Sequence, residues 1–77
     1  MYYVYVLRNK KNKEFYYGYT GDLKRRINEH NQDWKFIYYE AYLSELDARE
    51  RERKLKNYGQ SRTHLRNRLK ETLKLEN

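Results

Sequence analysis

The chain contains no cysteine and only two histidines. The first absence excludes a disulfide framework and any thiolate zinc site. With so few imidazoles, a bound metal must rest mainly on carboxylates, which selects a hard cation such as Mg²⁺ or Mn²⁺. No apolar run approaches the roughly 20 residues that a membrane-spanning helix needs. The first residues also lack the basic segment, apolar stretch and small-residue cleavage site of a secretory leader. The expectation is a soluble, cytoplasmic protein with no membrane partner, and the lack of disulfides fits a reducing compartment. A length of 77 residues allows one domain, 1–77, with a small core and a thin stability margin.

What the chain does have is positive charge and tyrosine. Its 18 Lys and Arg outnumber 11 Asp and Glu, a net charge of +7. So large an excess on a small body sets up a field that attracts polyanions, nucleic acid first among them. Ribosome-associated and anionic-membrane roles fit the same charge. The ten tyrosines are ordinary strand formers but can also stack on bases or line a polar site.

Along the chain, residues 2–7 are β-branched and aromatic and predict a strand. Asn9 and Asn12 mark a turn, and residues 15–19 predict a second strand, antiparallel to the first. Thr20, Gly21 and Asp22 supply a turn and a helix N-cap. A first helix is expected over residues 23–30 and a third strand within residues 34–42. Ser44 followed by Asp47 resembles a capping box and opens a second helix over residues 47–57, with Gly59 as its stop. Ser61 is expected to cap a third helix, in which Leu65, Leu69 and Leu73 recur with helical period. The fold class is therefore α+β, a three-stranded antiparallel sheet with flanking helices in the order ββαβαα.

Two helices carry polar side chains on their apolar stripes. Leu23, Arg26, Ile27 and His30 fall within about a 100° arc of the first helix. Arg26 either snorkels past the edge of the core or belongs to a site. On the second helix Ala48, Glu52 and Leu55 share roughly a 60° arc, with Glu45 and Glu50 off it. A carboxylate against a small core needs a partner. That partner is either Arg26 in a structural salt bridge or a metal ion. Arg, His, Glu and Tyr without a Ser/His/Asp or Cys/His arrangement suit phosphoryl chemistry, in which a cation and a guanidinium neutralise developing charge.

Read as motifs, Tyr3-Val4-Tyr5 and Tyr16-Tyr17-Gly18 resemble the GIY and YIG triplets of the GIY-YIG nuclease superfamily, at a similar separation. Residues 19–30 resemble the family's Asp/Asn-Leu-x-x-Arg helix with a following His. Residues 48–56 are similar to its Ala-x-x-x-Glu-x-x-Leu-Lys helix. The basic end resembles small stand-alone bacterial members, which are related to the N-terminal nuclease domain of the excinuclease. The resemblance implies the GIY-YIG fold and a DNA endonuclease, with DNA repair as its setting. A water activated by a tyrosine would hydrolyse a phosphodiester bond by in-line attack.

Carried over by position, Tyr5 and Tyr16 are the motif tyrosines, one of them the general base or the group that orients the water. Arg26 holds the scissile phosphate, His30 relays a proton or contacts phosphate, and Glu52 binds one divalent cation, Mg²⁺ or Mn²⁺. Gly18 permits close approach at the site. Lys10, Lys11, Lys13, Lys56 and Arg62 are the candidates for contact with the DNA backbone. Three positions depart from the family: Tyr3 replaces the glycine of GIY, Tyr17 the aliphatic centre of YIG, and Tyr19 a lysine of excinuclease-like members. Tyr17 is expected to point to the opposite sheet face.

The loss of the lysine charge motivates an alternative reading, a nucleic-acid-binding module on the same fold that cleaves weakly or not at all. A third reading, an accessory protein on ribosomal RNA, gives no reason for Glu52 to lie on an apolar face. The DNA partner is branched, single-stranded or ordinary duplex. One site implies nicking by a monomer, with a dimer required to cut both strands.

Overall fold

In the computed structural model, which describes residues 1–29 and 32–75, the tyrosine- and valine-rich first segment becomes the central strand of the only sheet among the described residues. Strand β1 (Tyr2–Asn9) pairs antiparallel with β2 (Phe15–Thr20) on one edge and β3 (Trp34–Tyr42) on the other. Because β1 is flanked by both neighbours and covered on both faces, Val4, Tyr5, Val6 and Leu7 are all buried. The turn into β2 is built by the asparagines. Asn9 Oδ1 accepts from the amides of Lys11 and Asn12, and Asn12 Oδ1 accepts from the amide of Glu14. Lys13 takes up a positive φ of 64° inside this turn.

The register separates the two sheet faces. Val4, Val6 and their cross-strand partners Tyr17 and Tyr19 turn toward the core. That face is closed by Ala48 and Leu55 of α2 (Glu45–Asn57) and by Leu65 of α3 (Gly59–Arg68) with Leu69 just beyond it. The opposite face carries Tyr3, Tyr5 and Leu7 with Thr20, Gly18 and Tyr16 opposite them. Helix α1 (Leu23–Glu29) lies between β2 and β3 in the chain and has no fully buried residue. A short α4 (Lys70–Leu75) follows, so the third expected helix is realised as two consecutive helical segments that break at Leu69.

Two terminus signals are corrected. Ser44 does cap α2, accepting from the Asp47 amide at 3.3 Å. Ser61, however, lies inside α3, which starts at Gly59 with Tyr58 at its N-cap in an extended conformation. Gly59 is accordingly the first residue of the next helix rather than a left-handed stop, and no glycine has a positive φ. The stop is made elsewhere: the Tyr58 amide donates to the Lys54 carbonyl, and Arg62 Nη1 donates to the carbonyls of Leu55 and Lys56 at 2.8 and 2.9 Å.

Glu40, unremarked in the sequence, ties α2 to the edge of the sheet. It faces the core side, opposite Val4. Arg51 donates to both of its oxygens, Nε and Nη2 each at 3.0 Å, in a fork that suits a carboxylate. The hydroxyls of Tyr38, at 2.9 Å, and Tyr42 also donate to it. Burial works to raise the Glu40 pKa, but these donors outweigh it and hold the carboxyl below its ordinary value. Burial and the same contact push Tyr42 up to about 12.

A carboxyl with a lowered folded pKa releases its proton more readily folded than unfolded. It therefore stabilises above the unfolded value of about 4.3 and stops doing so as pH falls through the folded value. Glu40→Gln is expected to lower stability by roughly 1–3 kcal/mol at pH 7. It should also flatten the acid limb of a urea-unfolding series taken from pH 7 to pH 3. Equal acid limbs in both proteins would contradict this role.

Candidate active site

On the sheet face away from the main core, Tyr5 stands at the centre of β1, directly opposite Gly18 of β2. A Cβ at position 18 would lie 2.3 Å from Tyr5 Cζ and 2.4 Å from its hydroxyl oxygen. The glycine is thus the floor under the Tyr5 ring, and the close approach expected there is of a side chain onto backbone. Phe36 stacks on the other flank at 5.2 Å, and the Tyr16 ring lies 6.2 Å away.

The arginine comes from α1. Asp22 begins this helix, its Oδ1 accepting from the Arg25 amide at 3.1 Å and its carbonyl from the Arg26 amide at 3.1 Å. One turn in, Arg26 Nε donates to the Tyr5 hydroxyl oxygen at 2.7 Å, and its guanidinium carbon lies 5.1 Å from the ring centroid. Burial raises the Tyr5 pKa, and the bond and charge of Arg26 only partly offset it. Tyr5 is therefore a neutral phenol near pH 7. The Arg26 bond occupies its oxygen as an acceptor.

The glutamate arrives from α2. Ala48 and Leu55 are fully buried and Glu52 is half-buried between their turns, as the arc implies, while Glu45 and Glu50 are exposed. Its ion pair is not with Arg26. Lys56, one turn on, places Nζ 3.2 Å from Glu52 Oε2 and 5.7 Å from the Tyr16 ring centroid. The structural bridge from Glu52 to Arg26 is thereby replaced by two linked pairs, Arg26 with Tyr5 and Lys56 with Glu52. Tyr5 and Tyr16 connect them.

The other expected residues divide. His30 lies outside the described residues. Lys10, Lys11 and Lys13 are exposed on the β1–β2 turn, with Lys11 3.6 Å from Asp33. Lys56 pairs with Glu52, and Arg62 is committed through Nη1 to the end of α2. Tyr17 points into the core, as expected. Tyr19 also faces away from Tyr5. Its hydroxyl donates to Glu45 at 2.7 Å and Arg49 covers its ring at 4.5 Å.

Among the described residues no group of three His, Asp or Glu side chains could cage a metal. Glu52 is a single carboxylate here, paired with Lys56; cations of the Mg²⁺ type commonly take one or two carboxylates and complete their shell with water and substrate phosphate.

The family model described as the GIY-YIG catalytic domain matches residues 1–33, which include Tyr5, Tyr16, Gly18 and Arg26 and stop short of Glu52. This match does not extend to the likeness with the excinuclease. No curated protein and no solved structure matches the chain.

The contact between Tyr5 and Gly18 can be measured. Gly18→Ala is expected to cost roughly 1–3 kcal/mol by overpacking. In a Tyr5→Ala background the same change should cost much less, a coupling of about 0.5–3 kcal/mol in a double-mutant cycle read by urea unfolding. Additive costs would mean that the ring does not rest on the glycine.

Proposed function

We propose that the chain, whose residues 1–33 match the GIY-YIG catalytic domain model, is a GIY-YIG nuclease and a metal-dependent DNA endonuclease whose site is Tyr5, Tyr16, Arg26, Glu52 and Lys56. The observation that supports this most is the bond from Arg26 Nε to Tyr5, which fixes a guanidinium on the sheet face beside Tyr16. With Nε so occupied, a phosphate is met by the Nη atoms. There they offset the charge that builds on its oxygens in the transition state.

Hydrolysis adds the oxygen of a water to phosphorus and breaks the opposite P–O bond, and the water gives up a proton as it attacks. Tyr5 is poorly suited to take that proton, since burial holds it neutral and Arg26 occupies its oxygen. Tyr16 is 42% exposed and lies toward solvent and Lys56, which favours it as the group that orients or deprotonates the water. Tyr5 then serves to position Arg26. Glu52 is the residue that would hold a Mg²⁺ or Mn²⁺ ion, and that ion would neutralise charge at the leaving oxygen. His30 is retained as a proton relay or phosphate contact on the sequence resemblance. Lys10, Lys11 and Lys13 extend the positive surface from the Tyr16 end of the sheet. A setting in DNA repair rests on that resemblance as well, while a cytoplasmic location is proposed from the cysteine-free composition. A monomer with one such site nicks, and a cut through both strands needs two copies.

One observation favours the second reading, a nucleic-acid-binding module that cleaves weakly or not at all. The Lys56 ammonium already sits 3.2 Å from the Glu52 carboxylate, where a divalent cation would have to compete with it.

The test is nicking of supercoiled plasmid in Mg²⁺ or Mn²⁺ by protein freed of host nucleases. Arg26→Ala and Glu52→Gln are each expected to lower the rate by a factor on the order of 10²–10³. Salt-sensitive binding should persist in Glu52→Gln. Wild-type rates in both variants would remove these residues from the site. Binding without turnover in the wild type under either metal would establish the second reading.

A further inference from the structure

Most of the aromatic surface around Tyr5 has no task in phosphodiester hydrolysis. Tyr39 lies opposite Tyr5 in the β1–β3 register, on the same face, and its ring is edge-on to Tyr3 at 6.0 Å. It is 53% exposed. Together with Ile27, Phe36, Ile37 and Tyr38 it lines an open recess of about 390 Å³ between α1 and the outer strand. Its lining on the Tyr5 side is apolar, with Ile27 of α1 and Phe36 and Tyr39 of the strand, while Ile37 and Tyr38 also pack against the core. Ile27 follows Arg26 directly on α1, so the recess opens beside the Arg26–Tyr5 pair, and Phe36 is shared between the two.

We propose that this recess takes an unpaired nucleobase of the DNA strand whose phosphate lies at Arg26, with Tyr39 as the stacking surface. The substrate is then a strand with unpaired bases at the cleavage point, a single strand or flap, rather than continuous duplex. The proposal rests on the reading of Arg26 as the phosphate-holding residue. Its warrant is the adjacency of two chemically different surfaces that match the two halves of a nucleotide. A fixed guanidinium meets the phosphate and an exposed ring in an apolar recess meets the base, on a chain of net charge +7. A positive surface combined with aromatic platforms is how single strands are held without sequence preference. A paired base cannot enter such a recess until it is unstacked, which adds a cost that an unpaired base does not carry.

Binding is measured in EDTA, so that no cleavage is required, with a single-stranded oligonucleotide containing 2-aminopurine and with the blunt duplex of the same sequence. Stacking on Tyr39 should quench the 2-aminopurine. Tyr39→Ala should lose the quench and weaken single-strand binding about tenfold, while Tyr39→Trp keeps both and duplex affinity is unchanged. Tyr39 is exposed, and far-UV circular dichroism checks that both variants are folded. Equal single-strand affinity in wild type and Tyr39→Ala, or emission unchanged on binding, overturns the proposal. Quenched binding by a wild type that never nicks DNA with Mn²⁺ supports the proposal and overturns the endonuclease reading instead.

Discussion

The hydroxyl of Tyr5 joins the central strand to the first helix through a hydrogen bond that it accepts from Arg26. The ring belongs to the central strand and is 3% exposed, resting on Gly18 and flanked by Phe36. A buried phenol oxygen needs a partner, and among the described residues Arg26 provides it at 2.7 Å. Helix α1 depends on the same bond. Seven residues long and without a fully buried side chain, it has little apolar surface with which to choose its own orientation. One hydrogen bond therefore satisfies the strand, orients the helix and aims the guanidinium. Loss of Arg26 removes a charge together with the hydrogen bond that this buried hydroxyl accepts.

The two sheet faces solve opposite problems. The core face needs apolar closure, and the Val4, Val6, Ala48, Leu55 and Leu65 cluster supplies it. The carboxylate of Glu40 is tolerated there because Arg51, Tyr38 and Tyr42 all donate to it. Among the described residues the other face has no comparable helical cover and fills its area with rings. Tyr16 and Trp34 meet edge to face at 6.3 Å near Leu7, which is 3% exposed although it faces away from the core. Aromatic rings can do both tasks, shielding the strand beneath them while leaving an exposed surface for a ligand.

What the sequence made legible follows periodicity, and what it hid follows from contacts between elements. The helical arcs identified Arg26 and Glu52 as facing inward, since an arc depends only on spacing along one helix. The partners of those residues depend on how helices and strands meet, and there the Arg26–Glu52 bridge gave way to Tyr5 and Lys56. Lys56 sits four residues after Glu52, an ordinary helical ion-pair spacing, so this partner was recoverable from the chain. Glu40 was recoverable from the alternation of Tyr38, Glu40 and Tyr42 on one strand face. Gly59 and Ser61 carried sound terminus chemistry but in the wrong roles, because the extended Tyr58 passes the chain from one helix straight into the next. The family model matches residues 1–33, and Glu52 lies beyond the match.

The Tyr19 departure has a different meaning in three dimensions than along the chain. In sequence it deletes a positive charge next to the motif tyrosines. In the fold Tyr19 pairs with Val4, faces the α2 side of the sheet and is engaged by Glu45 and Arg49. The hydrogen bond to Glu45 raises its pKa. Its charge environment is thus separate from that of Tyr5 and Tyr16. Positive charge reaches those two tyrosines from the helices instead, Arg26 of α1 at Tyr5 and Lys56 of α2 over Tyr16. The strand position serves packing, and the cations beside Tyr5 and Tyr16 come from the helices. For the same reason the lysine on which the proposed chemistry turns is Lys56, whose ammonium is shared between the Tyr16 ring and the carboxylate of Glu52.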